Sequence, residues 1–174
     1  MRALLFISKG LLLTAAATVV FNIPLISFAA DAPTPPQVVS DFNAAVTARD
    51  MDKALAQLAE GSVQFQLRAA HPGMSDNPPL IADLITTWKT VAAILFPSTD
   101  SYERKVEVSN THTDGEAATV WTNTRTTTHR KNVDEPMVLE FTELYMLVNK
   151  GGIWKIAGVV DNRQPDSIVV NESE

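Results

Sequence analysis

Residues 144–156 read LYMLVNKGGIWKI and predict two strands joined by a tight turn. An uninterrupted apolar run extends from Leu144 to Val148, and the apolar pattern resumes at Trp154-Lys155-Ile156 after Gly151-Gly152. Two glycines between such runs favour a hairpin, because glycine readily adopts the positive φ angles that a two-residue turn requires. The last part of the domain is therefore predicted to be an antiparallel pair of strands.

The strand pattern continues upstream of this hairpin. From Tyr102 onward, Val106 and Val108 alternate with charged residues, which is the period-two pattern of a half-buried strand. The dipeptide Asp114-Gly115 predicts a second two-residue hairpin turn. The remaining predicted elements are a long Thr-rich strand over Glu116 to Lys131, a turn over Asn132 to Pro136, and strands over Met137 to Asn149 and Ile153 to Asp161.

Before Tyr102 the apolar residues mostly recur at helical spacing instead. We expect a first helix from Val38 to about Asp50, and then a short helix that Asp50 or Asp52 caps and Gly61 ends. A half-buried strand is expected from Ser62 to Arg68, followed by a loop from His71 to Pro79. A helix should then extend from Leu80 to Phe96 and end at Pro97. Trp88 belongs to the apolar stripe of the last helix, which favours a place in the core.

This order of elements resembles the nuclear transport factor 2-like superfamily over about Val38 to Asn162. The hairpin at 144–156 is similar to that of SnoaL-like members, and Arg49 to Leu55 resembles their first short helix. The resemblance implies an α+β fold in which a curved, mostly antiparallel sheet wraps around N-terminal helices as a cone with a cavity at its open end. It also implies a homodimer through the sheet. The superfamily includes isomerases, dehydratases, polyketide cyclases and non-catalytic binding modules, so it does not select an activity.

The first thirty residues have the composition of an export signal. A basic start at Arg2 and Lys9 precedes the uncharged, mostly apolar run from Leu11 to Phe21, and small residues near Ala29 predict cleavage after that position. The alternative is an uncleaved membrane anchor over Gly10 to Ala30. We expect a signal peptide at 1–29, a linker at 30–37, the domain at 38–163, a flexible tail at 164–174, and a periplasmic or secreted location.

Composition argues against several classes of partner and chemistry. Removing Arg2 and Lys9 with the leader leaves 12 basic against 20 acidic residues, so the mature net charge is -8 and nucleic acid is not an expected partner. The chain has no cysteine, which excludes disulfides, thiolate metal sites and cysteine nucleophiles. Its three histidines share no metal-ligand spacing. We therefore predict no metal site. The resemblance implies no organic cofactor, and no stable membrane insertion is expected after cleavage because the sequence has no second apolar run of spanning length.

The predicted turns also predict which residues share a sheet face. Counting back from the turns places Val108 opposite Trp121 and Thr142 opposite Asp161. One face then carries Asn123, Arg125 and Asp161 among the apolar residues Val106, Val108, Trp121, Leu144, Met146 and Val159. We expect this face to pack under the helices, where polar groups in an apolar pocket are typical of a small-molecule site. The alternative for Arg125 and Asp161 is a structural salt bridge.

The opposite face would carry Leu139, Phe141, Glu143, Tyr145, Leu147, Trp154, Ile156 and Val160. It is also apolar, which favours either a dimer interface or a face covered within the chain. The ligand-pocket candidates are Trp88, Trp121, Asn123, Arg125, Tyr145 and Asp161, and the weaker catalytic candidates are Asp161, His71 and Glu143.

These observations lead to three functional hypotheses. The leading one is an exported SnoaL-like domain that binds a small ligand of apolar or mixed polarity, with no evident catalysis. The second is a cofactor-independent isomerase, dehydratase or cyclase that transfers protons next to a carbonyl, for which the pocket needs a buried acid–base group. The third is a protein-interaction module that docks a partner on its apolar outer face.

Overall fold

The computed structural model describes residues 32–67, 79–164 and 167–169. The predicted signal peptide and the loop that contains His71 lie outside these residues. No helix within the described ranges is long and apolar enough to cross a membrane.

The described residues form three helices, and each helix begins at an identifiable signal. Helix α1 spans Pro35–Thr47 and starts with prolines, whose missing N–H groups are harmless in a first turn. Helix α2 spans Met51–Ala56, and its N-cap Asp50 accepts a hydrogen bond from the Lys53 amide. Helix α3 spans Leu84–Ser98 and is capped in the same way by Asp83. It starts later than predicted because the residues just before it form a strand.

Within the described residues, seven strands form one mixed sheet. They are β1 (Leu58–Gln66), β2 (Ile81–Asp83), β3 (Thr99–Asp114), β4 (Ala117–Arg130), β5 (Met137–Lys150), β6 (Ile153–Asn162) and β7 (Ile168–Val169). The order across the sheet is β2-β1-β6-β5-β4-β3, with β7 paired to β5. Only the β1–β6 pairing is parallel among these described strands. This arrangement confirms the predicted α+β fold, while β7 lies within the segment expected to be a flexible tail.

We call the face of the sheet that packs against the helices the inner face and the opposite one the outer face. The core lies between the inner face and the helices, where Phe42 of α1 contacts Trp88 of α3 and Tyr145 of β5 edge-on. The fully buried apolar residues around them include Val38, Val39, Val46, Leu84, Val120, Leu147 and Ile156. Burial of this apolar surface is the main force that holds the helices on the sheet.

The prediction of which sheet face meets the helices was wrong, because the face with Glu143, Tyr145 and Leu147, expected to lie opposite, is the one that packs against them. Two β-bulges also separate residues that the prediction placed on one face. The pairing set by Gly151-Gly152 holds from Lys150 to Leu147, but β6 then carries one extra residue at Ala157. Asp161 consequently pairs with Glu143 rather than Thr142. A similar shift at Ser109 separates Val106 and Val108 from the face of Trp121. Because side chains alternate along a strand, one extra residue transfers all that follow to the other face.

The corrected faces differ in composition from the predicted ones. Glu143, Tyr145, Val159 and Asp161 lie on the inner face, with Thr122 of β4 in the same set. The outer face carries a cross-strand row of four apolar residues, each directly opposite the next: Phe65, Val160, Leu144 and Trp121. The indole of Trp121 is 41% exposed. The fold therefore places polar groups inside and an apolar row outside.

Arg49 joins the end of α1 to the end of α3 and the start of β3. Its φ angle of 60° is unusual for a residue other than glycine. Its guanidinium donates hydrogen bonds to the carbonyls of Phe96 (3.1 Å) and Thr99 (3.2 Å) and lies over the Phe96 ring. The side chain thus holds an otherwise strained backbone position.

We expect Arg49→Ala to lower the free energy of unfolding by about 2 kcal/mol, because these hydrogen bonds from a charged donor are lost and the strained backbone remains. Arg49→Gly should cost less than Arg49→Ala, since glycine relieves the positive φ. Urea unfolding of both variants measures this order. Equal stability of Arg49→Ala and the parent would show that the side chain does not hold this junction.

Candidate functional site

A row of polar side chains crosses the inner face at one end of the sheet. Gln66, Asp161, Glu143 and Thr122 lie directly opposite one another on β1, β6, β5 and β4. Asp161, Glu143 and Thr122 are all buried. Polar groups are costly to bury unless they are hydrogen-bonded, so the contacts within this row decide what it can do.

Glu143 is the acceptor at the centre of the row. Its Oε2 atom accepts hydrogen bonds from Arg104 Nη2 (2.6 Å), Thr124 Oγ1 (2.8 Å) and Tyr145 Oη (2.9 Å). Burial alone would raise the pKa of Glu143, but the Arg104 charge and these hydrogen bonds outweigh burial and lower the pKa. Glu143 is therefore held as a carboxylate, and no hydrogen bond from the described residues reaches its other oxygen, Oε1.

Helix α1 contacts two side-chain partners of Glu143 through Asn43. Its Oδ1 accepts from Arg104 Nε (2.7 Å), while its Nδ2 donates to Tyr145 Oη (3.1 Å) and to the carbonyl of Val39 (2.9 Å). Burial and the nearby Glu143 charge raise the pKa of Tyr145, so its phenol stays protonated and donates to the carboxylate. The arrangement fixes the direction of each hydrogen bond in the cluster.

Two aromatic rings face the Arg104 guanidinium. Its central carbon lies 5.6 Å from the Trp88 ring centre and 6.0 Å from that of Phe141. Trp88 is half-buried, whereas Phe141 is buried. Cation–π contacts of this kind partly replace the water that a buried guanidinium loses.

Asp161 forms a second ion pair beside the first. It accepts from Arg163 through the backbone N–H (3.1 Å), Nε (3.2 Å) and Nη2 (2.7 Å). The Arg163 guanidinium lies 4.6 Å from the Phe141 ring centre. Burial raises the pKa of Asp161; the Glu143 charge acts in the same direction and Arg163 opposes it, with a raised pKa as the net result. The two neighbouring carboxyls therefore have pKa values shifted in opposite directions.

The structure brings together four of the residues predicted from the sequence and separates the others. Trp88, Glu143, Tyr145 and Asp161 all lie on the helix side of the sheet. The other three pocket candidates, Trp121, Asn123 and Arg125, are exposed on the outer face. Arg125 pairs with Glu140 and not with Asp161, so the alternative of an Arg125–Asp161 salt bridge was wrong. His71 lies outside the described residues.

A cavity of about 520 Å³ opens mainly on the outer face. Its lining comprises Lys105, Glu107, Asn123, Arg125, Glu140 and Thr142 of the outer face, together with Val106, Thr124 and Phe141 of the inner face. The ion pair in this lining is half-exposed on both sides, and such pairs contribute little energy in water. We regard the inner cluster as the better candidate site, because its charged groups are buried and converge on one another.

Sequence reasoning missed Arg104, Asn43, Thr124 and Arg163. Arg104 stands between two charged neighbours, Glu103 and Lys105, which suggests an exposed position. The available signal was the alternation of side chains along the strand. Arg104 lies two residues before Val106, so both side chains lie on the same face, and Arg104 is paired with Thr126 of the inner face. No comparable signal marks Asn43, because an isolated asparagine on an apolar helix face has many uses.

The chemistry open to this cluster is proton transfer and hydrogen bonding. No group of three His, Cys, Asp or Glu side chains suited to a metal ion occurs within residues 32–67, 79–164 and 167–169. Glu143 is saturated by donors at Oε2, whereas Asp161 has the raised pKa expected of a group that exchanges a proton. Asp161 is thus the stronger acid–base candidate of the two.

The lowered pKa of Glu143 predicts a pH-dependent contribution to stability. A folded-state pKa below the ordinary value of 4.5 stabilises the protein above pH 4.5, and this contribution is lost as the pH falls through the folded pKa. We expect Glu143→Gln to cost about 3 kcal/mol at neutral pH. The cost should shrink steadily as the pH drops below 4.5.

Asp161 acts in the opposite direction, since its raised pKa favours folding at low pH and this advantage is lost as the pH rises through the folded pKa. The comparison is therefore best made in an Asp161→Asn background, with and without Glu143→Gln, by urea unfolding at several pH values. A Glu143→Gln cost that does not change with pH would contradict an ionised, stabilising Glu143.

Comparison with solved structures shows which fold this is. The chain is similar to a ketosteroid isomerase-like protein from Erwinia carotovora atroseptica, with 17% identity, a TM-score of 0.59, and coverage of 78% of this chain and 98% of that one. It is also similar to a hexachlorocyclohexane dehydrochlorinase, with 8% identity, a TM-score of 0.60, and coverage of 79% and 87%. A third similar structure is a nuclear transport factor 2-like protein of unknown function from Pseudomonas putida, with 14% identity, a TM-score of 0.55, and coverage of 80% and 92%.

Identities this low establish the fold alone and leave the activity open. No protein-family model matches the chain, and no curated protein matches it. The residues of the inner cluster must therefore carry any argument about function.

Proposed function

We propose that this chain, whose fold is that of the nuclear transport factor 2-like proteins, is an exported protein that binds a small molecule at the polar end of its inner face. The observation that carries the proposal is the buried Arg104–Glu143 pair, whose side chains are only 2% and 5% exposed. The pair lies beside a second ion pair and between two aromatic rings.

A buried ion pair is a poor device for stability alone. Taking both charges out of water costs several kcal/mol per ion, and apolar side chains of the same volume often give equal or greater stability. Hydrogen bonds oriented by Asn43 and Tyr145 instead give a fixed pattern of charge inside the fold. A fixed polar pattern flanked by aromatic rings is typical of sites that orient a ligand.

The neighbours in fold support a ligand of small size. Those reported above include a ketosteroid isomerase-like protein and a dehalogenating enzyme, and each of these names refers to a small molecule. Because the similarity extends to the fold only, it raises the expectation of a small-molecule site without identifying the ligand.

Native mass spectrometry of the protein purified from its own cell envelope tests the proposal. We expect a retained small molecule in the parent, and loss of that molecule in Glu143→Gln. Arg125→Gln serves as the matched control, because it also removes a charge from an ion pair but on the outer face. A parent without any bound mass, or equal retention in Glu143→Gln, would contradict binding at the inner cluster.

The same spectrum tests export. A mature chain that begins at Ala30 supports the predicted cleavage, whereas an intact Met1 supports the alternative of a retained anchor. The two outcomes differ by the mass of 29 residues, as the sequence defines them.

A proton-transfer enzyme is the second candidate, and the environment of Asp161 favours it. A buried carboxyl with a raised pKa next to a fixed carboxylate is the arrangement expected of a general acid or base. Incubating the protein with its retained molecule in D₂O would report proton exchange as a gain in ligand mass. Exchange that Asp161→Asn abolishes would favour the enzyme, and an unchanged ligand mass would favour a binding protein.

We also propose that a second copy of the chain covers the outer face. The apolar row Phe65, Val160, Leu144 and Trp121 crosses four strands, and charges of both signs at Lys105, Glu107, Arg125 and Glu140 lie beside it. An apolar centre with a mixed polar rim suits a self-complementary contact. A different protein partner is the alternative, and it would fit the third hypothesis, an interaction module.

A further inference from the structure

Two glutamine side chains extend the polar row beyond the ion pairs. Gln64 and Gln66 belong to β1, where their Cα partners are Val159 and Asp161 of the inner face. Both are half-buried, and neither side-chain amide makes a hydrogen bond with any part of the chain that the structure describes. Val63 and Phe65, which alternate with them, point to the outer face.

The position of these amides is unexpected for a half-buried strand. The ordinary arrangement would direct Val63 and Phe65 to the core and leave the glutamines in water. The structure does the reverse, so two amides, each with donors and an acceptor, face the helix side of the sheet. Neither amide is among the fully buried groups that lack a partner, so both are open to water, and a ligand that supplies hydrogen-bonding groups can take the place of that water.

The charges next to these amides cancel. Arg104 is paired with Glu143 at 2.6 Å, and Arg163 with Asp161 at 2.7 Å. The two pairs lie on neighbouring positions of the row, because Glu143 and Asp161 are directly opposite each other. Among the described residues, these two ion pairs therefore contribute two positive and two negative charges, and each is matched at hydrogen-bonding distance.

A charged ligand would disturb this balance. An anion near the row would be repelled by Glu143 and Asp161, and a cation would be repelled by Arg104 and Arg163. The repulsion between like charges is stronger there than in water, because the dielectric constant inside the protein is lower. An uncharged ligand avoids both penalties and can still use the glutamine amides. Trp88, which is only half-buried, offers apolar surface for the rest of the ligand.

We propose that the ligand of the inner site is uncharged and that its hydroxyl or carbonyl oxygens bind the side-chain amides of Gln64 and Gln66. This inference rests on the proposed function, because it specifies the chemistry of the ligand at that same site. It assigns a binding role to two residues that the sequence pattern alone places on a solvated strand face.

A matched set of three fluorescent probes tests the charge preference. The probes are 2-naphthol, 2-naphthoate and 2-naphthylmethylammonium, which share one ring system and differ in charge. We expect 2-naphthol to bind at least tenfold more tightly than either charged probe in fluorescence titrations at neutral pH. A charged probe that binds as tightly as 2-naphthol, or more tightly, overturns the inference.

Variants of Gln66 test the assigned residues. Gln66→Leu should weaken 2-naphthol binding by about tenfold, since one hydrogen-bonding partner is lost. Gln66→Glu should also weaken it and should shift the preference toward 2-naphthylmethylammonium, because the site then holds an unmatched negative charge. Asn110→Asp is the control, as it makes the same amide-to-acid change on the exposed part of β3, opposite Trp121 of the outer face.

Circular dichroism and thermal unfolding would establish that each variant is folded before it is titrated. Unchanged 2-naphthol binding in both Gln66→Leu and Gln64→Leu overturns the assignment of these amides while leaving the site intact. Failure of all three probes to bind, together with a parent that retains no small molecule, counts against the proposed function itself and removes the inference with it.

Discussion

Replacing Arg104 by methionine should lower the free energy of unfolding by about 3–5 kcal/mol, the largest single-residue effect that we expect in this protein. The substitution leaves Glu143 buried without its cation, and it removes the donor to Asn43 Oδ1 as well. Methionine fills much of the same volume, so the loss would reflect the unpaired charge rather than a cavity. Urea unfolding at neutral pH gives the measurement.

The double variant Arg104→Met/Glu143→Leu separates charge from packing. It should recover most of the lost stability, because neither remaining side chain leaves an uncompensated charge. Arg125→Met is the control on the outer face, where the exposed pair with Glu140 is worth at most about 1 kcal/mol. If the double variant were as unstable as Arg104→Met alone, the Arg104–Glu143 pair would be needed for folding, and its role would not be limited to the arrangement of charges in the inner cluster.

Replacing Leu144 by arginine should weaken self-association strongly. Leu144 lies at the middle of the outer apolar row, between Trp121 and Val160, and an arginine there would place a charge at the centre of the contact between two copies. Hot-spot residues near the centre of an interface contribute about 2 kcal/mol or more, so we expect the dimer dissociation constant to rise by at least about thirtyfold. Sedimentation velocity at several protein concentrations measures this change.

The control for this variant is Ile94→Arg on α3. Ile94 is 68% exposed, and the substitution adds the same charge to another exposed apolar position away from the sheet. Its dissociation constant should equal that of the parent. A parent that remains monomeric at high micromolar concentration would remove the proposed second copy and favour a different partner for the outer face.

The turns and the order of elements were predictable because their causes are local. Gly115, Gly151 and Gly152 have positive φ angles, as the hairpin turns inferred from the sequence require. The helical and period-two patterns likewise depend on neighbours a few residues apart. These local signals were sufficient for the α+β class and for the resemblance that the fold comparisons support.

The candidate site was only half predictable. Glu143, Tyr145, Trp88 and Asp161 were chosen from the sequence, but Trp121, Asn123 and Arg125 were grouped with Asp161 on one face by counting residues from the turns. The extra residues at Ser109 and Ala157 invalidate that count beyond each bulge. A bulge changes pairing by one residue and leaves hardly any mark in composition, so the sequence pattern does not reveal it.

The sequence by itself therefore determined the three helices, the hairpin turns and the succession of the long strands, because each follows from the conformational preferences of neighbouring residues. It did not reveal the short strands β2 and β7, which depend on pairing with distant partners. Only the tertiary structure decided which residues meet inside. Arg104 and Glu143 are 39 positions apart, and Asn43 and Tyr145 are 102 apart. They come into contact because bulged strands and α1 enclose the same space, where burial makes each unmatched charge or amide costly enough to fix its partner.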